Sequence, residues 1–227
     1  MAPLRPPSPG APRLLLVPTA EERAGLLAAG GPGPGQILLA LAGFGPLAAA
    51  AAAAELIARL APRAVILAGI AGTYDPARHP VGSALAFARV ALEGVGAGEG
   101  EGLRGPRALG FPQAFAADGS AIEEELPLAV PALGADAELL TVCAASASPA
   151  EAARRRARHP HAAAEDMEGF AVALACARAG VPLTILRGIS NAAGERTTAR
   201  WRIGPALAAV GELLRAVLGS EPGRDPP

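Results

Sequence analysis

The chain has 227 residues, 51% hydrophobic and 18% charged, which is enough apolar content to bury a core and too much for a disordered polymer. A net charge of −1 leaves no basic footprint for nucleic acid or an anionic membrane surface. All 20 basic residues are arginines, which excludes lysine Schiff-base chemistry and a phosphate-loop lysine.

No apolar run approaches the ~20 residues of a membrane span. His79, His159 and His161 have no acidic or thiol neighbours at ligand spacing, so no metal is expected, and His159 and His161 are read as solvated loop residues around Pro160. Cys143 and Cys176 sit in apolar sequence and read as structural thiols of a cytoplasmic protein.

Residues 1–12 contain five prolines and read as a disordered leader; the apolar run behind them, Leu14–Val17, is too short for a signal peptide's core. Residues 13–219 read as a single domain and 220–227 as a loose Pro-rich tail. Strand-like runs at 14–17, 36–42, 64–68, 84–92, 139–143 and 183–187 alternate with helical segments near 20–29, 46–60, 150–158, 166–179 and 205–218. That alternation predicts a layered α/β fold. The Ala-rich run after Pro46 reads as a packed helix, because Ala is the best helix former and Pro suits the first helical position. Residues 93–135, rich in Gly, Pro and Glu, read as loops that border a site.

Glycine-rich turns are expected at Gly43-Phe44-Gly45, at Gly69-Ile70-Ala71-Gly72 and at Gly188. The first lacks the third glycine and later acid of a dinucleotide fingerprint, so no such cofactor is expected. Glu21 and Glu22 follow the first strand, at the sheet edge where α/β proteins hold ligands, and either one could equally be a first-turn helix acid. Residues 164–191 place Glu165, Asp166 and Glu168 at the start of an apolar helix that ends at Gly180-Val181-Pro182. A buried strand leads from there to Arg187, Ser190 and Asn191. Glu168 precedes a long apolar stretch, which favours burial beside a polar ligand. Asn191 is either a ligand contact or a helix cap.

Met167-Glu168-Gly169, Val181-Pro182 and Arg187-Gly188-Ile189-Ser190-Asn191 resemble the C-terminal signature of the nucleoside phosphorylase superfamily, in particular its methylthioadenosine/S-adenosylhomocysteine nucleosidase branch. The glycine segments at 43–45 and 69–72 fall where that family has them. The nucleosidases end this motif with Ser-Asp, whereas here it is Ser190-Asn191. The run Gly194-Glu195-Arg196 with Trp201 and Ala206-Leu207 resembles the futalosine hydrolases, relatives that remove hypoxanthine from futalosine in an alternative menaquinone pathway.

The resemblance implies a three-layer α/β/α fold with a central mixed, partly barrel-like sheet, no cofactor, a nucleoside substrate and a homodimer or larger homo-oligomer. It implies that Glu168 holds the ribose hydroxyls with Met167 packed under the sugar. It makes Glu22 the base for water, with Glu21 one residue away, and puts Asn191 against the purine. Ile70 and Gly72 belong to its substrate-binding set, and Phe111 would add to the base or tail pocket. A 6-oxopurine offers acceptors at O6 and N7, which an amide with two N–H donors suits. The alternatives are an adenine-directed nucleosidase, a 6-oxopurine phosphorylase, which Ile70 disfavours because it brings no hydroxyl to an anion, and a non-catalytic nucleoside-binding relative.

Overall fold

In β1 (Arg13–Val17), Leu14 and Leu16 enter one hydrophobic cluster while Leu15 and Val17 enter another, and all four are fully buried. A strand sends successive side chains to opposite faces, so β1 is covered on both sides. The structure, a computed structural model, describes residues 10–32, 37–130 and 136–219; leader residues 1–9, the predicted strand's Gln36 and the tail at 220–227 lie outside the described residues.

The remaining elements in chain order are α1 (Ala20–Ala28), β2 (Leu38–Leu41), α2 (Pro46–Leu60), β3 (Ala64–Thr73), β4 (Ala84–Ala86), β5 (Arg89–Leu92), α3 (Pro106–Leu109), β6 (Ala114–Phe115) and β7 (Ala121–Ile122). They continue with β8 (Glu125–Pro127), β9 (Glu138–Thr141), α4 (Pro149–Arg158), β10 (Ala162–Asp166), α5 (Gly169–Ala179), β11 (Leu183–Ala192) and α6 (Ile203–Gly219). Ala49, Ala53 and Ile57 of α2 pack with Phe170 and Val172 of α5 against one face of the sheet. Leu26 of α1 packs with Val210 and Leu214 of α6 against the other. The result is three layers, helices on both faces of a mixed sheet. No helix among the described residues is long and apolar enough to cross a membrane.

The main sheet runs β2-β1-β3-β10-β9-β5-β8, with β11 also paired to β3 and β4 paired to β11. β3 joins two parts of the sheet. Its first half pairs in parallel with β1, its whole length with β11, and its last residues, Gly72 and Thr73, antiparallel with β10. Between Ile189 and Asn191 the β11 register shifts: Ile189 pairs with Ala71 and Asn191 with Gly72, leaving Ser190 as an extra residue.

Four expectations are corrected. The glycines at 69–72 and 188 do not make turns; β3 runs on to Thr73 and β11 to Ala192. They are glycines because something approaches them: a Cβ at Gly188 would meet Ala206 O of α6 at 2.3 Å, and one at Gly69 would meet Arg187 Nη1 at 2.2 Å. The predicted helix at 166–179 begins only at Gly169, and Ala162–Asp166 is a buried strand, because sheet pairing with β9 and β3 overrides the helical preference of alanine. The predicted strand at 84–92 divides at Phe87-Ala88, where the chain leaves β11 for β9 and β8. The stretch from 93 to 130 carries α3 and the short strands β6, β7 and β8 besides its loops.

The close approach of α6 to β11 gives a stability test. Gly188→Ala is expected to destabilise the protein by about 1–3 kcal/mol through overpacking, read as a melting temperature lowered by several degrees. An unchanged melting temperature would show that α6 can withdraw freely.

Candidate active site

Residues at the C-terminal ends of β1, β3, β9, β10 and β11 line one cavity of about 280 Å³. This sheet edge is where open α/β folds hold ligands. Thr19, Glu21, Glu22, Ile70, Gly72, Met167, Glu168 and Asn191 all contribute to its wall. Seven of the sequence-derived candidates are thereby brought together. Phe111 is not among the lining residues and is 75% exposed, just beyond the left-handed Gly110 that ends α3.

The polar architecture is organised by Arg187, which opens the motif Arg187–Asn191 at the end of β11 and to which the sequence assigned no role of its own. Its side chain is fully buried. Nε and Nη2 donate to Asp166 Oδ2 at 3.1 and 2.5 Å, and Nη2 also donates to Glu168 Oε2 at 3.3 Å. Burial alone would pull the guanidinium's pKa down, but Asp166, Glu168 and Glu22 outweigh it and hold it above its ordinary range. Nη1 has no hydrogen-bond partner among the described residues. It and Glu22 Oε1 both lie close to the point where a Cβ of Gly69 would stand, at 2.2 and 2.7 Å.

Asp166 is therefore not a simple helix-start acid. It anchors Arg187 and also caps α5: Oδ2 accepts from Gly169 N at 2.8 Å, and Oδ1 accepts from the Thr141 hydroxyl at 2.7 Å. That hydroxyl accepts in turn from Phe170 N at 2.7 Å. Glu168 stands at the N-cap position of α5 without capping it. Its Oε1 accepts instead from the backbone N–H of Gly45, at 3.0 Å, where the left-handed glycine turn enters α2. Burial raises the Glu168 carboxyl to about 7, with Arg187 opposing the rise and Asp166 and Glu22 adding to it.

Glu22 combines the two roles that its sequence position left open. It forms a capping box with Thr19, whose hydroxyl accepts from Glu22 N at 3.2 Å and donates to Glu22 Oε2 at 2.7 Å. Thr19 N donates to the same oxygen at 3.1 Å. Oε1 turns to the sheet and accepts from Ile70 N at 3.0 Å. Glu21 reaches the same cavity from an exposed position.

Asn191 is not a helix cap; it lies in β11 directly after the extra residue Ser190. Its Oδ1 accepts from Ser190 Oγ at 2.7 Å, and its Nδ2 donates to Ala192 O at 2.8 Å. One of its two amide N–H groups is thus committed, and a single donor remains for a ligand. A Cβ at Gly72 would stand 3.3 Å from this amide nitrogen, so the glycine gives the amide its room.

Glu165 lines the cavity but is fully engaged by Tyr74, Ser146 and Arg155, which makes it a structural anchor. His159 is not simply solvated: its Nε2 lies 2.6 Å from Glu93 Oε2, because the fold brings β5 and α4 together across a separation that local spacing does not reveal. Cys143 is exposed, unlike Cys176, because β9 ends before it. No cluster of three or more His, Cys, Asp or Glu among the described residues is arranged to hold a metal ion.

Residues 13–218 match the family model of the phosphorylase superfamily. The chain is 40% identical over 182 residues to a futalosine hydrolase of Streptomyces coelicolor, covering 78% of this chain and 76% of that protein. It is 37% identical over 196 residues to a futalosine hydrolase of Thermus thermophilus, covering 82% and 83%. Among solved structures, the methylthioadenosine/S-adenosylhomocysteine nucleosidase of Helicobacter pylori shares the fold with a TM-score of 0.71 at 18% identity, over 92% of this chain and 98% of that one. The chain belongs to the phosphorylase superfamily.

The raised Glu168 carboxyl predicts a pH dependence of stability. Between its ordinary value of 4.5 and about 7, the folded state holds a proton that the unfolded chain has released, so this group's contribution to stability falls as pH rises through that window. Glu168→Gln is expected to flatten that slope, read from denaturant midpoints between about pH 5 and about pH 8. Equal slopes in both proteins would mean that the carboxyl is ionised throughout.

Proposed function

We propose that this protein uses water to cleave the N-glycosidic bond of futalosine, releasing hypoxanthine. The observation that carries this reading is the presence, in one cavity, of two buried carboxylates, Glu22 and Glu168, held in fixed orientation around one buried guanidinium. The curated relatives at 37–40% identity support the choice of substrate.

Glycosyl cleavage builds positive charge on the sugar and negative charge on the leaving base. Glu168, once ionised, accepts hydrogen bonds from the ribose hydroxyls and favours the electron-poor sugar. Glu22 already accepts three hydrogen bonds, from Thr19 N, the Thr19 hydroxyl and Ile70 N. A carboxylate offers about four lone-pair sites, so one is left for a water proton. Arg187, buried behind the cavity wall, sets its positive charge beside Glu22 and holds that carboxylate ready for the water. As the water oxygen bonds to the anomeric carbon, the C–N electron pair leaves with the base and the water's proton passes to Glu22; the base anion then takes up a proton from solvent and Glu22 returns its own to solvent, so the net products are the free sugar and neutral hypoxanthine. The free N–H of Asn191 donates to O6 or N7 of the departing purine, and Met167 packs beside the sugar.

A phosphate nucleophile suits this site poorly. The Ile70 N–H that would greet an anion is taken by Glu22, and five carboxylates line the cavity. Exposed Phe44 and Leu47 at the start of α2 support the homo-oligomer included in this reading, as an apolar rim beside the cavity. The two unpaired cysteines support its cytoplasmic placement.

Purified protein incubated with futalosine is expected to release hypoxanthine at a rate independent of phosphate, and Glu22→Gln is expected to reduce turnover by ~10²–10⁴-fold while remaining folded. A sugar phosphate product, or a folded variant with a near-normal rate, would overturn the mechanism.

Asn191→Asp tests the choice of base. An ionised Asp would face the Ala192 carbonyl and the purine acceptors alike, and a protonated one has a single O–H where the amide has two N–H groups. The variant is expected to lose at least about tenfold in kcat/KM on futalosine, with a smaller loss on the 6-amino analogue. An unchanged ratio between the two substrates would place base selection elsewhere.

A further inference from the structure

One acid of the cavity is held by a cation that takes no part in the steps above. Glu165 in β10 pairs with Gly72 of β3, and the same glycine pairs on its other side with Asn191 of β11. Glu165 and Asn191 thus flank a single residue, two strand spacings or ~10 Å apart, and both line the cavity. Four donors surround the Glu165 carboxyl: the Tyr74 hydroxyl and Ser146 Oγ, both at 2.7 Å, Ser146 N at 2.8 Å and Arg155 Nη1 at 3.4 Å. They fill its about four lone-pair sites, so it has no acceptor left for a ligand. What it still delivers to a ligand is charge.

Arg155 comes from α4 and is buried. Besides Glu165, its guanidinium meets the Ser146 hydroxyl at 2.9 Å, Glu151 Oε1 at 3.1 Å and Glu93 Oε1 at 4.0 Å. Glu93 has Arg158 and His159 as further partners, and the Glu151 side chain is 32% exposed and reaches water. For the buried Glu165 the neutralising cation is Arg155. Ser146 is itself fully buried, in the turn from β9 to α4 that brings Val142 and Ala145 to the cavity wall.

A purine cleaved from its sugar takes the bonding electron pair and departs with negative charge, which the five carboxylates lining this cavity oppose. At an effective dielectric constant near 20, two like charges ~10 Å apart repel enough to change an equilibrium constant roughly tenfold. Pairing Glu165 with a cation removes that penalty at the end of the cavity where Asn191 stands.

We propose that Arg155 is a positioning residue for the departing base: by neutralising Glu165 and seating it against Ser146, it lets the Asn191 end of the cavity take up negative charge. This rests on the nucleosidase reading above, which sets the purine against Asn191. Arg155 touches no reacting atom, and its effect falls on the charge of the base rather than on its shape.

Two bases of nearly the same shape separate charge from shape. Hypoxanthine is neutral near neutral pH, whereas 8-azahypoxanthine has lost a ring proton there and mimics the leaving anion. Trp201, the chain's only tryptophan, lines the cavity, so its fluorescence reads the binding of each without turnover. Arg155→Met is expected to weaken the anion about tenfold and hypoxanthine less than about twofold, and to lower kcat on futalosine about tenfold with KM changed less than about twofold. Glu165→Gln, which leaves Arg155 in place, is expected to shift the anion the other way, tightening it about tenfold. Combining the two substitutions returns the anion to near its wild-type affinity. Damage to the wall alone would weaken both bases in every variant. Parallel losses for the two bases, no loss for the anion, or a weaker anion in Glu165→Gln would overturn the proposal, and the Glu165→Gln arm decides it even where Arg155→Met does not fold. Wild-type protein that binds neither base and releases none from futalosine would overturn the nucleosidase reading and the proposal with it. Wild-type release of hypoxanthine, with variants that do not separate the two bases, would overturn the proposal alone.

Discussion

Burying an arginine completely is unfavourable unless opposing charge and hydrogen-bond acceptors surround it. Arg187 meets that condition with Asp166 and Glu168 from the junction of β10 and α5 and with Glu22 from α1. Much of the local design follows. Position 69 must be glycine to leave the guanidinium room, and Asp166 must lie on a strand so that it can face β11 across β3. Thr141 must present its hydroxyl where it can steady Asp166 and start α5 together. Removing one charge from such a group leaves the others buried and uncompensated, so its members act as a unit.

The acids of the cavity illustrate how environment separates like groups. Glu165 is saturated by partners and serves the scaffold. Glu168 has a backbone donor and a shared guanidinium, yet its burial lifts it to about 7. Glu22 is oriented by a helix cap on one oxygen and by a strand amide on the other. A helix-capping motif therefore serves the site as well: the geometry that starts α1 also aims a carboxylate across the sheet edge.

The layered architecture was legible because β1, α2, α5 and α6 announce themselves through apolar runs, alanine and glycine-proline stops. β10 was not: Ala162, Ala163 and Ala164 carry no strand preference, and only pairing with β9 and β3 makes them one. The glycines of β3 and β11 were misread as turns, since the neighbours that crowd them come from distant positions. Glu22, Glu168 and Asn191 could be picked out as acids and an amide at the sheet edge. Arg187 could have been added to them, because a lone charge ending the apolar run Leu183–Leu186 demands buried acids nearby. The link between His159 and Glu93 had no sequence signal, since 66 positions separate them.

The extra residue in β11 bears on how this chain can vary. With the register stepping from Ile189–Ala71 to Asn191–Gly72, the strand uses two residues against one and resets which face its side chains address. Asn191 reaches the cavity because of that count, and the buried Ser190 hydroxyl, donating to Asn191 Oδ1, then fixes how its amide is turned. A one-residue deletion would restore regular alternation and rotate Asn191 and Ala192 to the opposite face. The site's chemistry is here fixed by arithmetic along the backbone, which makes this segment intolerant of insertion and deletion.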